Sequence, residues 1–478
     1  MLVRKAWDDR LRAVAKSTTI ANARVLTAYN AVIDHVESVN VESIQQLVTA
    51  TGRDSEILLR SSFEPKAVRT PEEFLAALLH SFREGRALHI VTESESLLDW
   101  LNHAFKGQER KQMGGQAGII ANHLSSLGAS VTTYTPLLSA KQAQVFQRNV
   151  KIATMQKGKL ALLSPSQAAR KLDKTKINWI FEYKHGDRIT IAGQHLVAPR
   201  ANRFILATDA PVLYQFDKEI TKQLPNLGQK FDKAIFSGYS YLDNVWQGVK
   251  AQDYIAQEVK NLRALRSKNK QMRIHAEFVP SKNPALEKKA WSALTQEIKS
   301  IGCNEVELQK LLEHFKFQKE QKSIEKIESA LTIYKGAKKL MGALKLDRIH
   351  VHNLGYFVIV LSKDYPVELE KVRDAALYAS AVAQARALSG ETVGKNDVAK
   401  GAEVPVSETG LNQVRIIAGE LAHELPKGAF DQKRFTFEGV WRFKDHSLIV
   451  VPGQIIVRPK TTVGLGDVIS SVSFVAEG

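Results

Sequence analysis

The chain has 478 residues, 44% of them hydrophobic, with a formal net charge of +17 and one cysteine. That length supports a sizeable core in two or three structural units, and lone Cys303 excludes an internal disulfide and fits a reducing cytoplasm. No apolar run nears the ~18 residues of a membrane span, and the start, Met1-Leu2-Val3-Arg4-Lys5, lacks a signal-peptide core, so a soluble cytoplasmic protein is expected.

In chain order, strand-like runs occur at Arg24 to Tyr29, Val131 to Thr135, Leu160 to Leu163, Arg203 to Ala207, Lys233 to Phe236 and Met272 to Phe278, with helical runs between many of them. This alternation predicts a doubly wound α/β body with a mostly parallel sheet. Within the run Arg273 to Phe278, period two puts His275 and Glu277 on one face. Charged amphipathic helices follow from Pro284 to Lys345. Among them, Asn304 and Glu307 stand three apart, so one helical turn presents both to a hydrated magnesium ion that Glu277 could share. Arg348, His350 and His352 alternate on one strand face. Without a third neighbouring ligand or an HExxH, that pair of histidines does not make a zinc site. A late antiparallel pair is expected at Arg434 to Phe443 and Ser447 to Val457, turning near Lys444-Asp445-His446.

The richest stretch comes next. Ile455 to Pro459 reads as a strand leading into Thr461-Thr462-Val463-Gly464-Leu465-Gly466-Asp467. If Asp467 opens a helix, the amides of Val463 to Asp467 form a hole for an anion, and Gly464 and Gly466 let a phosphate approach closely. Asp467 beside that hole suits the base of a phosphoryl transfer. A turn with a helix cap would use the same residues, so the other segments carry weight.

Those segments are Tyr29-Asn30-Ala31-Val32-Ile33-Asp34, Gly114-Gly115-Gln116-Ala117-Gly118, Pro199-Arg200-Ala201-Asn202-Arg203-Phe204, the HAEF, NEVE and RIHVH runs, and the glycine-rich TVGLGD. In this order the set resembles the archaeal ADP-dependent sugar kinases, the ADP-dependent phosphofructokinases and glucokinases, which are ribokinase-like. The resemblance spans Tyr29 to Ser471 and implies ADP as donor, AMP as product and Mg2+ as the accompanying ion. It implies that Asp467 is the catalytic base, that the amides of Gly464 to Asp467 hold the transferred phosphate, and that Arg203 reaches the nucleotide phosphates. Glu277 and Glu307, with Asn304 and Asp467 beside them, would organise the metal. His352, Asn353, Val463 and Gly464 would border the nucleotide. Asn30, Asp34, Gly114, Gly115 and Asn202 would address the sugar, with Asn178 lining its pocket. The absence of a GxxxxGK[ST] loop agrees with a donor other than one held in a P-loop.

For the sugar, relatives that act on fructose 6-phosphate carry a lysine near the lid, and Lys184 stands at about that position. Glucokinases carry a glutamate near Gly85 to Ile90, where this chain has Leu88 and His89. A phosphate dianion requires a cation and is repelled by a carboxylate, so both differences favour fructose 6-phosphate. Glu93 or Glu95 in a shifted register would favour glucose, or both sugars. The expected product is fructose 1,6-bisphosphate in a modified glycolysis. A lid of segments 22–39, 85–101 and 176–203 is expected over a body of 40–84, 102–175 and 204–478. The rival class is a non-catalytic basic binding protein. Against it, Lys and Arg concentrate in helical stretches such as Lys260 to Arg273 and His314 to Lys339, with no RNP-like or helix-turn-helix signature. No nucleic acid, membrane or obligate protein partner is therefore expected, and the positive field would steer anionic substrates.

Overall fold

In a computed structural model, which describes residues 2–478 except 39, 40, 108–109, 210–211 and 282, the chain forms two unequal sheets. The larger is 11-stranded. Its centre is parallel, running Arg348–Asn353, Ser300–Asn304, Arg273–Glu277, Lys233–Ser237, Arg24–Tyr29, Ser130–Tyr134 and Lys151–Gln156. Of these, Arg273–Glu277, Lys233–Ser237, Arg24–Tyr29 and Ser130–Tyr134 are buried almost throughout and match runs read from the sequence. Antiparallel strands close both edges, with Tyr356–Ser362, His446–Pro452 and Val440–Arg442 on one side and Lys159–Leu163 on the other. The expected α/β fold is thus observed. No helix among the described residues is long and apolar enough to cross a membrane.

The smaller sheet is 5-stranded, ordered Leu88–Thr92, Asn202–Thr208, Ile177–Tyr183, Val32–Ser38, Arg110–Gly114. One face packs Trp179, Phe181 and Phe204 against Phe74, Leu78 and Leu101 of the helices Pro71–Glu84 and Glu95–Ala104. The helix Pro71–Glu84 is set by its ends: Thr70 accepts the Glu73 N–H, Pro71 takes the first turn, and Gly85 closes it in the left-handed region. The other face carries Asp34, Asn178 and Arg203 and stays open. Phe181 is fully buried with Phe74 at 4.9 Å and Phe105 at 5.0 Å between ring centroids. Phe181→Ala is expected to cost about 3–5 kcal/mol, read as a lowered midpoint in urea unfolding.

The boundaries differ from the expected ones. Strand Arg24–Tyr29 belongs to the large sheet, while the helices between residues 41 and 84 cover the small one. Nothing in amphipathic helices states which sheet they serve, so 40–84 resembled body. The limit expected at residue 39 lies outside the described residues. The chain passes between the sheets at Asn30–Ala31, at Gly115, at Thr175–Lys176 and after Thr208.

Two late elements also differ. Gln432–Glu438 is helical: Asp431 accepts the Arg434 N–H at 2.8 Å and Gly439 ends the helix at φ 65°. Only Val440–Arg442 continues as strand. Ile455 to Pro459 forms no strand, and Val457 is 90% exposed.

Candidate active site

A cavity of about 720 Å³ lies between the open face of the small sheet and the ends of the large-sheet strands. The residues Asn30, Asp34, Gly115, Asn178, Arg203, Val463, Gly464 and Asp467, expected from sequence to work together, all line it. The sheets place them. Asn30 follows a central strand, and parallel pairing sets Asp34 opposite Asn178. Arg203 and Ile205 alternate toward the cavity while Phe204 turns to the core.

The GLGD turn heads the helix Leu465–Ala476, with Gly464 as its N-cap at φ 70°. Leu465, Gly466 and Asp467 form its first turn, where amides have no helical acceptor of their own. The Val463 N–H is committed to Thr461 Oγ1 at 3.2 Å, so the hole begins one residue later than expected. Gly466 is required for packing alone: its backbone is ordinary helix without the positive φ of Gly464, and a Cβ there would stand 2.4 Å from His352 Nε2. Burial pushes the Asp467 carboxyl up to about 7, reinforced by Glu277 and opposed by a 3.0 Å bond from Gln116 Nε2 and by Arg386 and Arg203. A carboxyl at that value is poised to take a proton near neutrality.

At the small-sheet side, Asp34 is 2% exposed, accepts Asn178 Nδ2 at 3.0 Å, and is raised by burial to about 7. The glycine pair makes room for it. A Cβ on Gly114 would lie 2.0 Å from Asp34 Oδ1, and one on Gly115, at φ 70°, 2.6 Å from the Asn30 carbonyl. Gly115 lines the cavity, whereas Gly114 supports Asp34 from behind. Arg203 spans the sheets, its Nη1 donating to Thr462 Oγ1 at 3.4 Å.

Beneath the helix start lies a group of acids. Glu277 accepts from His275 Nε2 at 3.0 Å and from the Ser470 hydroxyl, so the expected shared face of His275 and Glu277 is observed. Burial raises Glu277 to about 8. Glu307 is also raised to about 8, by burial first and then by Asp467, Glu277 and Glu305. Mutual repulsion among carboxylates is what a divalent cation relieves, so the donor chemistry fits Mg2+. Among the described residues no three such side chains converge closely enough to cage an ion directly.

Several expected residues are placed elsewhere. Asn304 and Glu307 form a reciprocal capping box, Asn304 Oδ1 accepting the Glu307 N–H at 2.8 Å and Glu307 Oε2 the Asn304 N–H at 2.7 Å. The Asn304 oxygen is therefore spent on its helix. Asn202 Nδ2 donates to the Gly85 carbonyl at 2.9 Å and holds a strand end, away from the cavity lining. Asn353 Nδ2 donates to Glu328 Oε1 at 2.8 Å, ahead of the helix Ala330–Leu344, and to the Tyr356 hydroxyl oxygen at 3.1 Å within its own hairpin. His352 packs under Gly466 instead of lining this cavity, and burial lowers it to about 4, so it is neutral. Lys184 is exposed in the turn just past strand Ile177–Tyr183. It continues the parity of Asn178 and Ile180, and it stands outside the lining.

Sequence reasoning missed Gln116 and Arg386. Gln116 follows directly on the glycine pair, lines the cavity and donates to Asp467. Arg386 is 3% exposed in the alanine-rich helix Leu369–Ser389. Its Nε donates to the Val463 carbonyl at 3.1 Å and its Nη1 to His123 Nε2 at 3.2 Å, and its charge favours the ionised forms of Asp467 and Asp34. A charged residue amid an apolar helical face was the available signal.

The family model described as the ADP-specific phosphofructokinase/glucokinase conserved region matches residues 23–476. The chain belongs to this family. As an ADP-dependent sugar kinase, it is similar to the ADP-specific phosphofructokinase of Methanosarcina acetivorans, with 33% identity over 95% of this chain and 92% of that protein. It is similar also to the ADP-dependent glucose/glucosamine kinase of Pyrococcus abyssi, at 28% identity and 99% coverage of each. Among solved structures, an ADP-dependent kinase in complex with fructose-6-phosphate and ADPbetaS superposes at TM-score 0.83, with 31% identity over 99% of this chain and 97% of that one. A Pyrococcus horikoshii structure described as a hypothetical ADP-dependent phosphofructokinase gives a TM-score of 0.80, at 27% identity and 96% and 98% coverage.

Proposed function

We propose that this ADP-dependent kinase transfers the β-phosphoryl group of Mg-ADP to the 1-hydroxyl of fructose 6-phosphate, giving AMP and fructose 1,6-bisphosphate. The observation that carries the reading is Asp467, held near neutrality at the amide-lined start of a helix, in one cavity with Asn30 and Asp34. Asn30 and Asp34 bind and orient the sugar, and Asp467 takes the proton of the attacking hydroxyl. The amides of Gly464 to Asp467 and the Arg203 guanidinium receive the negative charge that develops on the transferred phosphoryl. Glu277 and Glu307 would hold the waters of magnesium, which when bound neutralises charge on the donor phosphates. Closure of the small sheet excludes water that would otherwise accept the phosphoryl group. Small-angle scattering with both substrates should show compaction.

The sugar rests on the likeness to phosphofructokinases and on Lys184, which closure would carry toward the rim. Lys184→Ala is expected to raise the KM for fructose 6-phosphate by about ten- to a hundredfold, the cost of one charge-assisted bond, and to leave any glucose turnover unchanged. Glucose as an alternative or second substrate is favoured by the similar glucose/glucosamine kinase. AMP formation from Mg-ADP with each sugar, with ATP as control donor, decides between them. We place the enzyme in the cytoplasm, in a modified glycolysis, where both substrates are soluble anions.

A further inference from the structure

Behind the sugar end of the cavity is a buried lysine to which phosphoryl transfer gives no task. Lys176 is 7% exposed and sits where the chain enters the small sheet. Its backbone is pinned on both sides. Thr175 Oγ1 donates to Ser139 Oγ at 2.7 Å, and the Lys176 carbonyl receives the Ile33 N–H at 3.0 Å. The ammonium lies 4.2 Å from the Tyr241 ring centroid and 5.1 Å from that of Tyr214, and its Nζ donates to the Tyr214 hydroxyl at 2.5 Å. Two aromatic faces and a hydroxyl replace part of the hydration that burial removes. Burial disfavours the charged form and Asp209 favours it, and the bond from the ammonium to Tyr214 leads toward the sugar end of the cavity.

The polarity of the relay is fixed by chemistry. An ammonium has donors only, so the Tyr214 oxygen accepts from Lys176 and must aim its own proton elsewhere. It aims it at Asn30 Oδ1, 3.1 Å away. The two ends of an amide look alike in outline, and a donor on one side decides which end is oxygen. With Oδ1 taken, the Asn30 Nδ2 hydrogens are left for Tyr241 and for the cavity that Asn30 lines. Asp34, across the same cavity, supplies acceptors. A sugar hydroxyl is both donor and acceptor and matches that pair in one orientation only.

Tyr214 is itself held. Its carbonyl receives the Tyr254 hydroxyl at 2.6 Å, and its ring packs over Gly238, where a Cβ would come within 3.2 Å of it. Bonds to Lys176 Nζ on one side and Asn30 Oδ1 on the other hold its hydroxyl.

We propose that Lys176 is a positioning residue for the sugar acceptor: through Tyr214 it locks the Asn30 amide with its N–H groups toward the cavity. This rests on the reading that Asn30 and Asp34 bind a sugar. The test is steady-state kinetics on Lys176→Met, Tyr214→Phe and the double variant, with calorimetric sugar binding in the absence of nucleotide. Tyr214→Phe removes one oxygen and keeps the ring, so it tests the relay even where Lys176→Met fails to fold. Expected is a rise of about tenfold or more in sugar KM and in sugar Kd for each variant, with the KM for ADP within about twofold of wild type. The double variant should be no worse than the weaker single, because both break one chain. An unchanged sugar KM in Tyr214→Phe, equal shifts for sugar and ADP, or effects that multiply in the double variant would overturn the proposal. Wild-type enzyme that forms no AMP with any sugar would instead overturn the functional reading beneath it.

Discussion

Asp467→Ala should lower kcat by roughly 10²–10⁴-fold, the range for loss of a positioned general base, while calorimetric affinity for ADP changes little. The separation is expected because the amides proposed to meet the phosphate belong to the backbone and survive the substitution. Unchanged turnover would remove Asp467 from the role of base. The pH profile gives a second reading. Asp467 is raised to about 7, chiefly by burial, and as the proposed base acts only when ionised, so kcat/KM for the sugar should climb with pH through the region of 7, where Asp34 titrates as well. Gln116 favours the ionised form through its 3.0 Å bond. Gln116→Leu should therefore raise the carboxyl further and move the ascending limb to higher pH, a shift that simple loss of stability does not produce.

Arg203→Ala is expected to reduce kcat by about 10²–10³-fold, in line with removal of one donor that meets charge developing in the transition state. Arg203 sits on the small sheet and donates to Thr462 of the glycine-rich turn, so it also links the small sheet to the body. Arg203→Lys keeps the charge and loses the planar fork, and should fall between wild type and alanine. If Arg203→Ala raised KM alone and spared kcat, the residue would bind ground-state substrate only, and the charge on the transferred group would have to be met by the amides.

What could be read in advance follows a physical line. The central strands were legible because burial on both faces demands continuous apolar, β-branched runs such as Val25-Leu26 and Val131-Thr132. Arg434 to Glu438 misled because Phe435 and Phe437 alternate like a strand, while the cap at Asp431 and the left-handed Gly439 impose two helical turns. Ile455 to Val457 misled because apolar content alone does not supply a pairing partner. Gly464, Gly466 and Asp467 were legible because their chemistry is local to one turn. Gln116, Arg386 and Lys176 were not, since each acquires its role from a residue more than fifty positions away or from a tertiary neighbour with no fixed spacing. The capping of Asn304 by Glu307 shows the opposite hazard, where a spacing that suits a metal suits a helix end equally well.

The repeated passage of the main chain between the two sheets has an evolutionary corollary. The small sheet draws its strands from segments that the body interrupts, so it is not a cassette that recombination could lift from one relative and graft onto another. A breakpoint within any one crossing would leave the remaining ones mismatched, and Asn30, Gly115 and Lys176 all lie at such crossings. Point substitutions on the open sheet face, by contrast, leave every crossing intact.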